Sequence, residues 1–219
     1  MRIYIKLSKN KEIIPFNYQH LLTGVVHKWI GVNNNEHGKR SLYSFSWLQN
    51  TSSTKNGINL GRDTYFFISA YDTDLIKRIT KGLLDDPEMF CGSRAIDVQI
   101  RDVPDFSNEE RFFLHSPVLI RQREGEKTKH VTYLDEVFEK LLTENLKIKL
   151  QSVDLPIDNV SVELDKSYAF PQTKLVDYKG IKNKTTLAPV IIKGSPEQIA
   201  FAWQVGLGNS TGIGFGSLK

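Results

Sequence analysis

Two histidines and two cations fall close together in this chain: His27, near the end of a helical pattern, and His37, Lys39 and Arg40 in the polar loop Asn33-Asn-Asn-Glu-His-Gly-Lys-Arg40. An imidazole, with an unperturbed pKa of about 6.5, moves protons near neutrality, and neighbouring cations can hold a phosphate. Those residue types together suit RNA cleavage without a metal. One histidine would help deprotonate a ribose 2′-OH, another would protonate the leaving 5′-oxygen, and Lys39 or Arg40 would stabilise charge on the phosphorane. A plain surface loop of the same composition is the competing reading. On a helical wheel the apolar face centres on Leu22 and Trp29, while His20, Gly24, His27 and Gly31 fall opposite, so His27 is expected outside the core. Gly24 would leave backbone uncovered one turn before it. His115 and His130 lack such neighbours and read as structural or rim residues.

A second cluster closes the chain. Five of the fifteen glycines, Gly206, Gly208, Gly212, Gly214 and Gly216, surround Asn209, Ser210 and Thr211 directly after a helical pattern. Glycine admits φ > 0 and lets main chain approach a ligand closely, so the expectation is a loop that binds an anion or a nucleic-acid backbone. A dinucleotide fingerprint would instead follow a strand and open a helix, and a triphosphate loop would end in Gly-Lys-Ser/Thr; neither context is present. A tight helix-to-strand turn with close packing is the plainer alternative.

Other chemistries are disfavoured. No His-x-x-x-His or clustered carboxylate pattern is present, His20 and His27 are nearly two turns apart, and no metal site or cofactor is expected. The single Cys91 excludes an internal disulfide and fits a reducing compartment. No apolar run reaches membrane-spanning length, and the alternating start Met1-Arg-Ile-Tyr-Ile-Lys6 leaves no room for a signal peptide, so a cytoplasmic protein is expected. Net charge is only +4, but Lys174, Lys179, Lys182, Lys184 and Lys193 stand against Asp177 alone, which puts five minus one, or four, positive charges in one stretch. Such a stripe is the footprint of phosphate binding, although lysine also serves to blunt sheet edges.

The elements that would position these groups repeat. In the first half, strand patterns at Arg2 to Ser8, Leu42 to Leu48, Thr64 to Tyr71 and Ala95 to Val103 alternate with helices, one capped by Asn17 and one by Asp72 or Thr73. That order is the ferredoxin-like βαββαβ unit. The second half follows with a strand at Arg111 to Arg123, continued as a hairpin to Val131, and a helix marked by Leu134, Val137, Phe138, Leu141 and Leu142. Strands follow at Val160 to Leu164, Lys174 to Tyr178 and Leu187 to Ile192, with a turn at Lys179-Gly180. Ser195-Pro-Glu-Gln198 combines an N-cap, an N1 proline and a capping-box residue, and Phe215 to Lys219 reads as a last short strand. The expected class is α+β: two tandem ferredoxin-like domains, residues 1–106 and 107–219, with a C-terminal glycine-rich loop. The boundary falls in the polar segment Pro104 to Glu110.

A histidine loop leading into Ser41-Leu-Tyr-Ser-Phe-Ser-Trp47, the strand Phe113-Leu-His-Ser-Pro-Val118 and the terminal Gly206-Leu-Gly…Gly-Ile-Gly-Phe-Gly216 together resemble the CRISPR-associated repeat-processing endoribonucleases of the RAMP superfamily. The resemblance covers nearly the whole chain. It implies metal-independent cleavage of the repeat in precursor CRISPR RNA, leaving a 5′-hydroxyl and a 2′,3′-cyclic phosphate. It also implies catalytic roles for His27, His37 and Lys39 or Arg40. By the same resemblance, Lys174, Lys179, Lys182 and Lys184 and the loop from Gly206 through Gly208, Asn209, Ser210, Gly212 and Gly214 to Gly216 are RNA-binding elements. The partner would be repeat RNA, and the protein a monomer or homodimer. Two alternatives stand beside it: a non-catalytic RNA-binding RAMP subunit of a CRISPR effector complex, which needs no histidine pair, and a generic RNA-recognition module reading bases with Tyr43, Phe45, Tyr65 and Phe67.

Overall fold

Alternation of Ile3, Ile5 and Leu7 with Arg2, Tyr4 and Lys6 makes β1 (Arg2–Leu7) a two-faced strand whose apolar side is fully buried. The computed structural model describes residues 1–31, 40–125 and 127–219, so the expectations for His37 and Lys39 lie outside the described residues. Helix α1 (Gln19–Ile30) follows, then β2 (Tyr43–Phe45), β3 (Gln49–Ser53), β4 (Ile58–Ala70), α2 (Thr73–Asp85) and β5 (Ala95–Arg101). The antiparallel sheet has the order β2-β4-β1-β5, with β3 also on β4. Leu22, Val26 and Trp29 of α1 and Leu75, Ile76 and Ile79 of α2 close one core against its Ile3/Ile5 face.

The expected strand Leu42 to Leu48 is cut short for a reason. Ser46 turns its Oγ to the Phe67 N–H at 2.9 Å, and the Trp47 N–H donates to His115 O at 3.0 Å, so the chain leaves the ladder towards the second half. The N-terminus of α1 also differs from expectation: Tyr18, not Asn17, precedes the helix, without a side-chain cap, and His20 Nδ1–H donates to Asn17 O at 2.8 Å. Asp72 does cap α2 through Asp74 N–H.

The second half comprises β6 (Glu109–Phe112), β7 (Ile120–Glu124), β8 (Lys127–Val131), α3 (Phe138–Gln151), β9 (Ser161–Leu164), β10 (Gln172–Tyr178), β11 (Ile181–Leu187), β12 (Val190–Lys193) and α4 (Pro196–Val205). β6, β12 and β9 form a three-stranded antiparallel sheet over a second core that includes Leu142, Leu146, Ile199 and Phe201, while β7-β8 and β10-β11 are separate hairpins. The strand expected at Arg111 to Arg123 is therefore broken. Pro117 has no N–H to give, and His115 N–H donates instead to Ser217 O at 2.9 Å. Pro189 likewise separates β11 from β12. Leu134 and Val137 are exposed before α3, which begins only at Phe138. The capping box of Ser195 and Gln198 forms as its sequence requires. No strand forms at Phe215 to Lys219; a single bridge, Leu114 to Leu218, stands there.

The two cores are clasped by Arg2. Its guanidinium, 1% exposed, lies 3.9 Å from the Phe67 ring of β4 and 3.6 Å from the Trp203 ring of α4. It donates to Trp203 O at 3.0 Å, Leu218 O at 2.8 Å and Ser69 Oγ at 3.3 Å. Burial lowers its pKa to about 10, still cationic at neutrality. Arg2→Met keeps the bulk but takes the guanidinium donor from Leu218 O and leaves Trp203 O only the 3.4 Å hydrogen bond from Ser69 Oγ, each loss costing about 1–3 kcal/mol. At roughly 2–4 °C per kcal/mol for a chain of this size, the melting temperature is expected to fall by roughly 4–24 °C. Arg2→Lys should recover only part, having no plane to stack. An unchanged melting temperature for Arg2→Met contradicts the clasp.

Candidate functional site

The carbonyls of the glycine segment face α1 and β2 and are taken one after another by side chains. His27 Nε2 lies 3.3 Å from Gly212 O, and the Tyr43 hydroxyl lies 3.1 Å from the same oxygen and 3.2 Å from Nε2. With Tyr43 O–H donating to Gly212 O, Nε2 carries its hydrogen and the basic lone pair sits on Nδ1. Gln19 Nε2 donates to Ile213 O at 2.7 Å, and Trp47 Nε1–H donates to Gly214 O at 2.8 Å. His27 is thus half-buried against the glycine segment rather than on an open surface, a placement the wheel alone does not give. Gly24 is exposed, with nothing within 4 Å of where a Cβ would stand.

The glycines have a packing explanation that sequence reasoning weighed as the lesser one. A Cβ on Gly206 would come within 2.6 Å of Gly216 O, one on Gly208 within 2.6 Å of Leu119 O, and one on Gly214 within 2.7 Å of the Phe45 ring. Cβ atoms on Gly212 and Gly216 would run into Ser41 Oγ and Leu207 O. The space beside each is filled by the protein itself. Gly206, Gly208, Gly214 and Gly216 also hold φ between 65° and 87°. Within the segment Asn209, Ser210 and Ile213 remain partly exposed, and Ser210 is itself left-handed at φ 60°.

Beside the segment opens a cleft of about 330 Å³ lined by Arg40, Ser41, Asn145 and Lys149 together with residues 208–213. Arg40 is exposed at its rim. Lys149, 3% exposed, donates from Nζ to Gly206 O at 3.0 Å, and burial, followed by the Arg40 charge, pushes its pKa down to about 7. The Asn145 Oδ1 is buried without a hydrogen-bond partner. Neither α3 residue figures among the sequence candidates. A signal existed: Lys149 falls on the stripe of Leu142, Leu146 and Leu150, where a lysine is out of pattern.

The basic stripe divides. The β10-β11 hairpin turns at Lys179 (φ 52°) and Gly180 (φ 81°), both left-handed as a two-residue turn requires. Its inner face, Val176, Asn183 and Thr185, is buried, and its outer face presents Lys182 and Lys184 beside Leu175. Lys174 is on the inner-facing register and reaches over the Trp47 ring at 5.4 Å. Lys193 is elsewhere, bound to Glu163 at 3.0 Å on β12. Arg121, another residue sequence reasoning missed, ties the parts together. Its guanidinium donates to Asn183 Oδ1 at 3.0 Å and to Ser210 Oγ at 3.4 Å, while its N–H donates to Asn209 Oδ1 at 2.8 Å.

The remaining histidines have ordinary settings. His115 packs on Phe67, and burial, then the charges of Lys219 and Arg2, lower its pKa to about 4. His130 is cross-strand from Arg121, and burial followed by that charge lowers its pKa. Among the described residues no three His, Cys, Asp or Glu side chains gather as metal ligands would, and no helix is long and apolar enough to cross a membrane.

Three comparisons bear on this arrangement. Residues 99–219 match the family profile described as CRISPR associated protein Cas6, C-terminal. Over 240 residues the chain is 28% identical to a CRISPR-associated endoribonuclease-like protein Cas6 of Pyrococcus furiosus, covering 100% of this chain and 98% of the relative. A solved structure described as a Cas6-related gene from Pyrococcus furiosus superposes with a TM-score of 0.85 at 25% identity, covering 100% of this chain and 97% of that one. A second, described as a RAMP protein binding different RNA substrates, has a TM-score of 0.85 at 23% identity, with 100% and 98% covered, and shows the same fold.

Lys149 gives the site a pH signature. Its folded pKa of about 7 lies below the ordinary 10.5, so between those values the unfolded chain binds more protons and stability rises with pH; below about 7 the full cost of the buried charge is present. The melting temperature of wild type minus that of Lys149→Met is therefore expected to grow as pH is raised from 7 towards 10. A difference that is flat or shrinks across that window contradicts the assignment.

Proposed function

Because its profile matches more than half of the sequence, the chain belongs to the CRISPR-associated Cas6 family, and we propose that it is a metal-independent endoribonuclease of CRISPR repeat RNA in precursor transcripts. The observation that carries this reading is His27, held by Tyr43 and Gly212 O beside the cleft that Arg40 enters. In the reaction the ribose 2′-oxygen bonds to the adjacent phosphorus as the P–O5′ bond breaks. The 2′-OH proton passes to one histidine, and the 5′-oxygen takes a proton from the other, leaving a 5′-hydroxyl and a 2′,3′-cyclic phosphate. His27 and His37 divide these two transfers, and Lys39 and Arg40 stabilise the phosphorane charge. The partly exposed Asn209 and Ser210 of the glycine segment, with Arg121, Lys182 and Lys184, track the RNA backbone. The fold reading that accompanies this is two ferredoxin-like halves, 1–106 and 107–219, the fourth strand of the second reduced to the Leu114 to Leu218 bridge. Work in the cytoplasm, as a monomer or homodimer, belongs to the same reading.

One observation favours a second reading, an RNA-binding Cas6-family subunit that does not cleave. His27 Nε2 is already within reach of two protein groups, Tyr43 Oη and Gly212 O. Incubation with the repeat RNA of the chain's own locus in EDTA separates the two. Cleavage is expected, and a 2′-deoxy substitution immediately upstream of the cut should abolish it. Strict magnesium dependence, or cleavage of the deoxy substrate, defeats the mechanism, and binding without cleavage supports the second reading.

His27→Ala and His37→Ala should each slow single-turnover cleavage by ~10²–10⁴ with affinity nearly intact. Wild-type rates in both variants place the chemistry elsewhere. Replacing Lys179, Lys182 and Lys184 by alanine should weaken RNA binding and flatten the slope of log affinity against log salt, because each phosphate contact contributes to that slope. A slope equal to wild type makes these lysines a solvated edge.

A further inference from the structure

A second cleft, of about 400 Å³, lies between the approach to α1 and the β10-β11 hairpin. Phe16, Trp47 and Leu175 supply its apolar surfaces, and Lys174, Gln19 and Asp177 its polar ones. Its volume is in the ordinary range for a small-molecule site, roughly 300–1,000 Å³. Phe16 is 60% exposed and Leu175 66%, an arrangement that water does not favour and that none of the described elements covers. Trp47 is fixed in place, its indole N–H on Gly214 O at 2.8 Å and its ring edge-on to Tyr18 at 6.4 Å between centroids. Gln19, 3% exposed, spends its amide hydrogens on Ile213 O and Gly214 O and leaves Oε1 buried without a donor.

We propose that this cleft takes one unstacked base of the single-stranded RNA whose backbone follows the glycine segment and the lysine hairpin. The proposal rests on the RNA-binding reading above and adds a site to it. Three features choose a base over a phosphate or an apolar peptide. Two aromatic side chains, one rigid and one exposed, offer π-faces on which any base stacks. Lys174, 5.4 Å from the Trp47 ring, adds a cation at the mouth, whereas Asp177, whose carboxylate accepts the Gly180 N–H at 2.8 Å, disfavours an anion inside. A base edge carries the N–H donors that Gln19 Oε1 lacks. Continuity does the rest, since Trp47 and Gln19 both bind the carbonyls of the segment against which His27 rests.

Phe16 is the residue to change, because a side chain so exposed contributes little to the core. The probe is the repeat RNA of the chain's own locus, made uncleavable by 2′-deoxy substitution and prepared with single abasic sites along its length. Phe16→Ala should weaken binding by about 5–150-fold, the equivalent of about 1–3 kcal/mol for one stacked base, with the salt slope unchanged. Phe16→Trp should restore affinity. One abasic position should weaken wild type by a similar factor and cause no further loss in Phe16→Ala. Wild-type affinity in Phe16→Ala, or a loss that adds fully to that of every abasic site, overturns the proposal. So does loss of a protein partner with RNA affinity unchanged, which would make the cleft a protein docking surface. Failure of the wild-type chain to bind the RNA at all defeats the RNA-binding reading instead.

Discussion

A buried guanidinium holds the two halves of this molecule in register. Arg2 lies in the first strand, yet its hydrogen bonds go to carbonyls of residues 203 and 218, and its plane is stacked between an aromatic ring from each half. A cation so placed is costly unless every donor is used, and the carbonyls are costly unless some donor reaches them. The two costs cancel only when both halves are docked. Lesser bonds repeat the pattern around it: Ser44 Oγ to Gln204 O, Ser69 Oγ to Trp203 O and Gln204 Nε2 to Ala70 O all cross between β2 or β4 and α4.

The glycine segment follows from that docking. Once α4 is pinned on the open face of the first sheet, the chain leaving it must run flush against β2, with no room for side chains between Gly206 and Ser44, Gly212 and Tyr43, or Gly214 and Phe45. Its main-chain polarity is then sorted. Carbonyls of residues 212 to 214 turn to α1 and Trp47, while the Gly216 N–H donates to Pro117 O and the Ser217 N–H to Ser116 Oγ. The Ser-Pro-Val and Ser-Phe-Ser sequences thus have a shared physical role as the two walls of a slot cut to backbone width.

What the sequence made legible is what local rules decide. The alternation of β1, the Asp72 cap, the capping box at Ser195 and the left-handed turn at Lys179-Gly180 each depend on a few neighbouring residues, and each forms. Long-range partners were hidden. Nothing near Arg2 announces Trp203, and the run from Arg111 to Arg123, though Pro117 interrupts it, does not show that His115 will pair with Ser217 rather than with a strand. The same limit applies at the site. Spacing placed His27 off the core face correctly, but only the docked glycine segment turns that face into a half-buried wall. Lys149 showed only as a lysine out of place on an apolar stripe and Arg121 not at all, because their partners lie 57 and 88 or more residues away in the glycine segment.

The cleft beside His27 therefore borrows its rigidity from both cores. Arg40 and Ser41 lead into β2 of the first, Asn145 and Lys149 come from α3 of the second, and Gly206, whose carbonyl Lys149 holds, is wedged against Ser44. A group bound there meets donors that are already in place, so little ordering entropy is left to lose on binding. Displacing the Lys149 ammonium would free the Gly206 carbonyl and loosen the contact with β2 on which the His27 to Gly212 geometry depends. A buried lysine poised near neutrality is then more than a stability liability. It ties α3 of the second core to the segment against which His27 rests.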